Sequence, residues 1–127
     1  MIAEILVADD DREITGLLAK HLAANSHRVS VVEDGVQLFE KAAESRPHLI
    51  IADIQMPGLY GSSAYQSLQR DPATAKIPVI FISAFPLESL KPILPEDPKT
   101  RFLPKPIVLE LLDKCIQELL PLGGYIP

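Results

Sequence analysis

An α/β fold, in which a parallel sheet carries helices on both faces, is what this sequence predicts, and three observations predict it. Short apolar runs rich in Ile, Val and Leu alternate with longer stretches whose apolar residues recur at helical spacing. Each run has the length of one strand and lacks polar alternation, as strands buried on both faces do. Strand and helix alternate over the whole length, so right-handed crossovers place helices on each side of the sheet. At 127 residues the chain suits one domain, 1–127, with one substantial core and no repeat, low-complexity segment or linker.

The first strand is Ile5-Leu6-Val7-Ala8, which stops at Asp9-Asp10-Asp11. Ile14, Leu17, Leu18 and Leu22 then trace the inner stripe of a helix that Asp11 caps and Asn25-Ser26 ends. Val29 to Val32 forms a β-branched second strand, and Asp34 caps a helix carrying Val36, Leu38, Phe39, Ala42 and Ala43. After Pro47, His48-Leu49-Ile50-Ile51-Ala52-Asp53 is the central strand, delivering one carboxylate to the sheet rim before the Pro57-Gly58 turn. Ser62 or Ser63 caps a third helix reaching about Arg70, with Ala64, Tyr65 and Leu68 inward and Asp71-Pro72 beyond its end.

Pro78 introduces the fourth strand, Val79-Ile80-Phe81-Ile82, which ends on Ser83-Ala84. Pro86, Pro92, Pro95 and Pro98 then leave room for only a short helix near Leu87 to Lys91, with extended loop around it. Arg101-Phe102-Leu103-Pro104 is a short fifth strand. Pro106 opens the last helix, patterned on Val108, Leu111, Leu112, Cys115 and Leu119 and ended by Pro121 with Gly123-Gly124. Leu109, Ile116 and Leu120 widen its stripe, through deeper burial or as a dimer surface, with burial preferred.

A net charge of -5 without clustered Lys and Arg argues against nucleic acid and anionic lipid as direct partners. The single Cys115 has no internal disulfide partner and sits in an apolar pattern, which suits a buried thiol in a reducing compartment. The opening residues carry no leader pattern and no run approaches a membrane span, so a cytoplasmic location is expected. His21, His27 and His48 are scattered, and their positions suit surface or interface roles rather than catalysis. Zinc-ligand spacings, a Gly-rich phosphate loop and a serine nucleophile elbow are all missing from the sequence.

In an open parallel sheet the functional crevice lies at the carboxyl ends of the strands. Those ends supply Asp9 and Asp10, then Asp53, Ser83 and Lys105. Carboxylates gathered so closely repel and raise one another's pKa values unless a cation intervenes, and hard oxygen ligands suit Mg²⁺ or Mn²⁺, with Mg²⁺ preferred. A metal and a Lys beside a carboxylate stabilise a transferring phosphoryl group, with Asp53 as nucleophile forming an acyl phosphate and Ser83 bonding a phosphate oxygen. Taken alone, Asp9 to Asp11 reads as a helix N-terminus, Lys105 as a solvated charge and Ser83 as a strand-end hydroxyl. Their joint order with Asp53 favours the site.

Four segments carry a resemblance: Ile5-Leu6-Val7-Ala8-Asp9-Asp10-Asp11, Leu49 through Gly58, Pro78 through Ala84, and Phe102-Leu103-Pro104-Lys105-Pro106. In this order, over almost the full chain, they resemble the receiver domain of bacterial-type response regulators. The resemblance implies a flavodoxin-like five-stranded sheet of order 2-1-3-4-5, with Asp53 as phosphoacceptor, and Asp9, Asp10, Asp53 and the Gln55 backbone carbonyl holding Mg²⁺. It further implies that Ser83 and Lys105 bind the phosphoryl group, that Phe102 matches an aromatic switch, and that the Lys105-Pro106 bond is cis. Phe102 reads equally well as plain packing.

The partners so implied are a histidine kinase or histidine phosphotransfer protein upstream. Downstream, a protein or a second copy would bind the face of the last strand and last helix. The chain then reads as a stand-alone response regulator or a piece of a larger regulator or hybrid kinase, and as a phosphoacceptor rather than an enzyme with a separate substrate. Two features depart from the family: the Pro-rich segment from Pro86 to Pro98 replaces a full fourth helix, and Tyr60 stands where an acidic residue is common. The resemblance also implies that Gln55 and Phe85, two positions beyond Asp53 and Ser83, flank the path of a hydrolytic water, and bulky Phe85 is expected to prolong the acyl phosphate. The alternatives are a receiver-like scaffold that is not phosphorylated and a small Mg²⁺-dependent aspartyl-phosphate phosphatase, which would need a second carboxylate near Asp53 that Ile54-Gln55 does not supply.

Overall fold

The structure, a computed structural model, describes residues 2–55, 62–92 and 94–126. Five parallel strands, β1 (Glu4–Ala8), β2 (Arg28–Val32), β3 (Leu49–Asp53), β4 (Val79–Ser83) and β5 (Thr100–Pro104), form one sheet of order β2-β1-β3-β4-β5. The helices between and after them are α1 (Arg12–Ala24), α2 (Gly35–Ser45), α3 (Ser62–Arg70), α4 (Leu87–Leu90) and α5 (Leu109–Leu119). Side chains alternate across a strand, and the two cores follow that period. Leu6, Ala8, Ile50, Ala52, Val79 and Phe81 point to the face covered by α2, α3 and α4. Ile5, Val7, Leu49, Ile51, Ile80 and Ile82 point to the face covered by α1 and α5.

Local signals set the boundaries. Asp11 Oδ1 accepts the Glu13 and Ile14 amides at the start of α1, and Asp34 Oδ1 accepts that of Gln37 in α2, caps that contribute about 1 kcal/mol each. Asn25 closes α1, and Ser26 turns the chain at φ 71. Ser62 is the first residue of α3, but the side-chain caps expected of Ser62 and Ser63 lie outside what the structure describes, as do residues Pro57, Gly58 and Tyr60.

Several expectations need correction. Leu17, Val36, Val108 and Leu111 are exposed, Val108 because it precedes its helix and the other three because each lies off the arc that meets the sheet. Pro106 does not open α5: Val108 is still extended at φ -89, ψ 111 and is the cap, so the helix begins at Leu109. With that start the inward arc is Leu112, Ile116 and Leu119, and Leu120 continues it into the core. The wider stripe is therefore deeper burial. Cys115 is a free thiol and only half-buried, with burial pushing its pKa up.

The histidines brace the frame. His27 Nδ1 and His48 Nδ1 accept the Ala3 and Glu4 amides at 3.1 and 2.8 Å, and His21 Nε2 lies 2.8 Å from Asp113 Oδ1, tying α1 to α5. Past α5, a 3-10 turn (Leu120–Gly123) and left-handed Gly124, at φ 88, bring the chain under the amino ends of the strands. There Tyr125 stacks on His48 with ring centroids 4.7 Å apart, and its hydroxyl donates to the Ile2 carbonyl. A side chain at Gly123 would collide with Pro78, its Cβ falling 2.5 Å from the proline Cδ.

Among its described residues the Pro-rich segment has only the one-turn α4, and the stretch between α4 and β5 is held by side chains. Lys99 Nζ donates to Asp97 Oδ2, Tyr65 Oη and Gln69 Oε1 at 2.6, 2.9 and 3.0 Å, while the Tyr65 hydroxyl donates to Asp97 Oδ2 at 2.5 Å. Burial alone would raise the Asp97 pKa, but bonds from Lys99 and Tyr65 outweigh it and hold the carboxyl at about 2. Since that lies below the unfolded value, the stabilisation is complete above roughly pH 4 and is lost as pH falls from there through about 2. Acid unfolding monitored by circular dichroism should show this loss in the parent and a shallower one in Lys99→Met. Identical acid profiles would remove the network from the account of stability.

Candidate functional site

The register places the chemistry at one rim. Ala8 pairs with Ala52, Asp53 with Ile82, and Ser83 with Pro104, so the residues that end β1, β3, β4 and β5 emerge side by side. Asp9 is held by its own turn: its amide donates to the Val32 carbonyl at 3.1 Å, and its Oδ1 accepts the Asp11 amide at 3.0 Å. Asp53 closes β3, with Oδ1 accepting the Gln55 amide at 2.8 Å. The Ile54 amide, donating to Ile82 at 3.0 Å, pins the next turn against β4. The Lys105 amide donates to the Ser83 carbonyl at 2.8 Å, which fastens the lysine beside the end of β4, and the Lys105-Pro106 bond is cis.

Lys105 Nζ bridges two carboxylates, 2.7 Å from Asp53 Oδ2 and 2.9 Å from Asp9 Oδ2. Asp9 and Asp53 are 1% and 5% exposed, so the ammonium offsets charges that water barely reaches. Burial would lower the Lys105 pKa, but its contacts with Asp53 and Asp9 prevail and raise it. Burial raises the Asp9 pKa, against the opposing pull of the Asp11 amide and Lys105. The contact with Asp9 Oδ2 is off the line of a hydrogen bond, and this buried oxygen has no aligned donor.

Asp10 is exposed, yet Asp9, Asp10 and Asp53 offer carboxylate oxygens within 4.8 Å of one another. A hard, all-oxygen donor set that includes one buried oxygen paired with Lys105 but given no aligned hydrogen bond fits a divalent cation such as Mg²⁺. Ser83 is fully buried, its Oγ accepting the Phe85 amide at 3.0 Å and donating to Gln55 Oε1 at 3.1 Å. Thus the side chains of Asp9, Asp10, Asp53 and Lys105 lie together, and Ser83 ends the neighbouring strand, bonded to Gln55. Phe102 lies on β5, half-buried against the core beside Phe81, away from the carboxylates. The sequence named Gln55 for its backbone carbonyl and as a flank of the water path, and gave no sign that its side chain engages Ser83.

Among the described residues no helix is long and apolar enough to cross a membrane. Comparison with known proteins finds that residues 5–117 match the sequence model described as the response regulator receiver domain. Response regulator PleD of Caulobacter vibrioides is 39% identical over 84 residues, which cover 66% of this chain but 18% of that protein. Protein PilH of Pseudomonas aeruginosa is 32% identical over 123 residues, covering 94% of this chain and 98% of its own. The receiver domain of a Pseudomonas aeruginosa sensor histidine kinase, solved with a magnesium ion in its active site cleft, superposes with a TM-score of 0.85. At 24% identity over 95% of this chain and 99% of its own, it speaks for the fold. A Francisella response regulator receiver domain gives a TM-score of 0.76 at 27% identity, covering 94% and 97%.

Proposed function

Because this chain belongs to the response regulator receiver domain family of two-component signalling, we propose that it is a phosphorylation switch whose Asp53 accepts a phosphoryl group from a phosphohistidine. The donor is a histidine kinase or a histidine phosphotransfer protein. A carboxylate oxygen of Asp53 forms the new O–P bond as the P–N bond of the donor breaks, and the electron pair returns to the imidazole ring. The observation that carries this reading is the Asp53 carboxylate held at 2.7 Å by Lys105 Nζ, within 4.8 Å of two more carboxylates. Asp9, Asp10, Asp53 and the Gln55 carbonyl would hold Mg²⁺, which when bound neutralises charge at the phosphoryl oxygens.

Lys105 then serves the phosphoryl oxygens as the fixed cation it already provides to Asp53, and Ser83 donates to one of them. The chain acts on its own side chain and turns over no separate substrate. The switched state is read by a protein partner, or a second copy, on the face of β5 and α5, where Val108 and Leu111 are exposed apolar groups and Phe102 is the aromatic that responds. Intact mass after incubation with acetyl phosphate and Mg²⁺ tests the reading. A single phosphoryl adduct that disappears without metal is expected, and an unmodified chain would leave a scaffold.

Phe85 stands 55% exposed beside Ser83. Its ring screens the approach of water to the acyl phosphate, so Phe85→Ala should shorten the adduct's lifetime several-fold when decay is timed after removal of donor. An unchanged lifetime would reject that role.

A further inference from the structure

We infer that the Gln55 side chain restrains Ser83 in the resting state, its amide oxygen holding the hydroxyl proton that a phosphoryl group on Asp53 must win. The inference rests on the function proposed above and adds a positioning residue to it. A serine hydroxyl has one proton to donate. Here it goes to Gln55 Oε1 at 3.1 Å, while the same Oγ accepts the Phe85 amide at 3.0 Å. Ser83 cannot serve Gln55 and a phosphoryl oxygen together.

The backbone builds this juxtaposition. The Ile54 amide bonds the carbonyl of Ile82, the residue before Ser83, so the turn that carries Gln55 is fastened beside the end of β4. Gln55 also donates its own amide to Asp53 Oδ1 at 2.8 Å. One residue therefore bonds both the accepting carboxylate and the hydroxyl that must respond to it. The exchange is asymmetric: exposed Gln55 regains solvent when released, whereas fully buried Ser83 leaves one acceptor only when offered another. A charged phosphoryl oxygen is the stronger acceptor.

The test uses the full chain with Gln55→Met, which keeps length but removes the acceptor, and Gln55→Ala as a second variant. Each is made in the parent and in Ser83→Ala. Initial uptake from acetyl phosphate with Mg²⁺ should rise about 2- to 10-fold in the parent background, the range for loss of one neutral hydrogen bond. In Ser83→Ala, where there is no hydroxyl to hold, the gain should vanish. The Phe85 amide resonance, recorded with no donor present, should move on Gln55→Met in the parent and stay fixed in Ser83→Ala.

The amide signal separates the two ideas. A parent that takes up no phosphoryl group refutes the proposed function while the resonance still reports the restraint. A resonance that responds equally in both backgrounds, or in neither, overturns the inference, as does an equal rate gain with and without the hydroxyl.

Discussion

Asp53→Asn should abolish phosphoryl uptake altogether while leaving the fold intact. The carboxylate is the nucleophile in the proposed chemistry, and a neutral amide lacks both the charge and the basicity to attack phosphorus. Its geometry is also wrong for this site. An Asn amide turned toward Lys105 would set donor against donor where a 2.7 Å ion pair now stands, and turned away it offers Lys105 only a neutral oxygen. Stability should change little, because the substitution also removes one of three mutually repelling carboxylates. Intact mass with acetyl phosphate and Mg²⁺ checks uptake, and thermal unfolding checks the fold. An adduct on Asp53→Asn equal to the parent's would move the acceptor to another residue.

Lys105→Met should have the second largest effect, and it has two parts. Loss of a fixed cation aimed at the developing charge should slow phosphoryl uptake by about 10²- to 10³-fold. Without the ammonium, the buried Asp9 and Asp53 carboxylates face each other uncompensated, and breaking such a buried pair costs on the order of 3 kcal/mol. The two parts separate on adding Mg²⁺, which can replace the lost charge at the carboxylates but not the lysine's reach to the phosphoryl oxygens. Urea unfolding should therefore show a destabilised variant largely rescued by Mg²⁺, with uptake still slow. Unaltered stability in metal-free buffer would mean that Lys105 is not the counter-ion of these groups.

Much of this site can be read from the sequence because parallel strands advertise their ends. An apolar run stops where the sheet stops, so Asp9, Asp53 and Ser83 declare their rim, and Lys105 comes directly after the last strand. Less is legible where contacts depend on side-chain reach or helix phase. Gln55 meets Ser83 only because the Ile54 amide fastens the turn to β4, and no residue pattern encodes that bond. In α5 the apolar positions outnumber those one arc can bury, and extended Val108 decides the phase in favour of Leu112, Ile116 and Leu119. The cluster of Tyr65, Gln69, Asp97 and Lys99 joins a helix to an irregular segment across about thirty residues, where periodicity carries no information.

The return of the chain beneath the sheet bears on how this protein can be handled. Because the Tyr125 hydroxyl reaches the Ile2 carbonyl at the pole remote from Asp53, an excised unit of residues 2–126 could have these two positions joined by a short flexible bridge and be opened instead in an exposed loop. Such a circular permutant should keep its carboxylate rim. A tether to a sensor chip or fluorophore placed at that seam would leave that rim facing the solution.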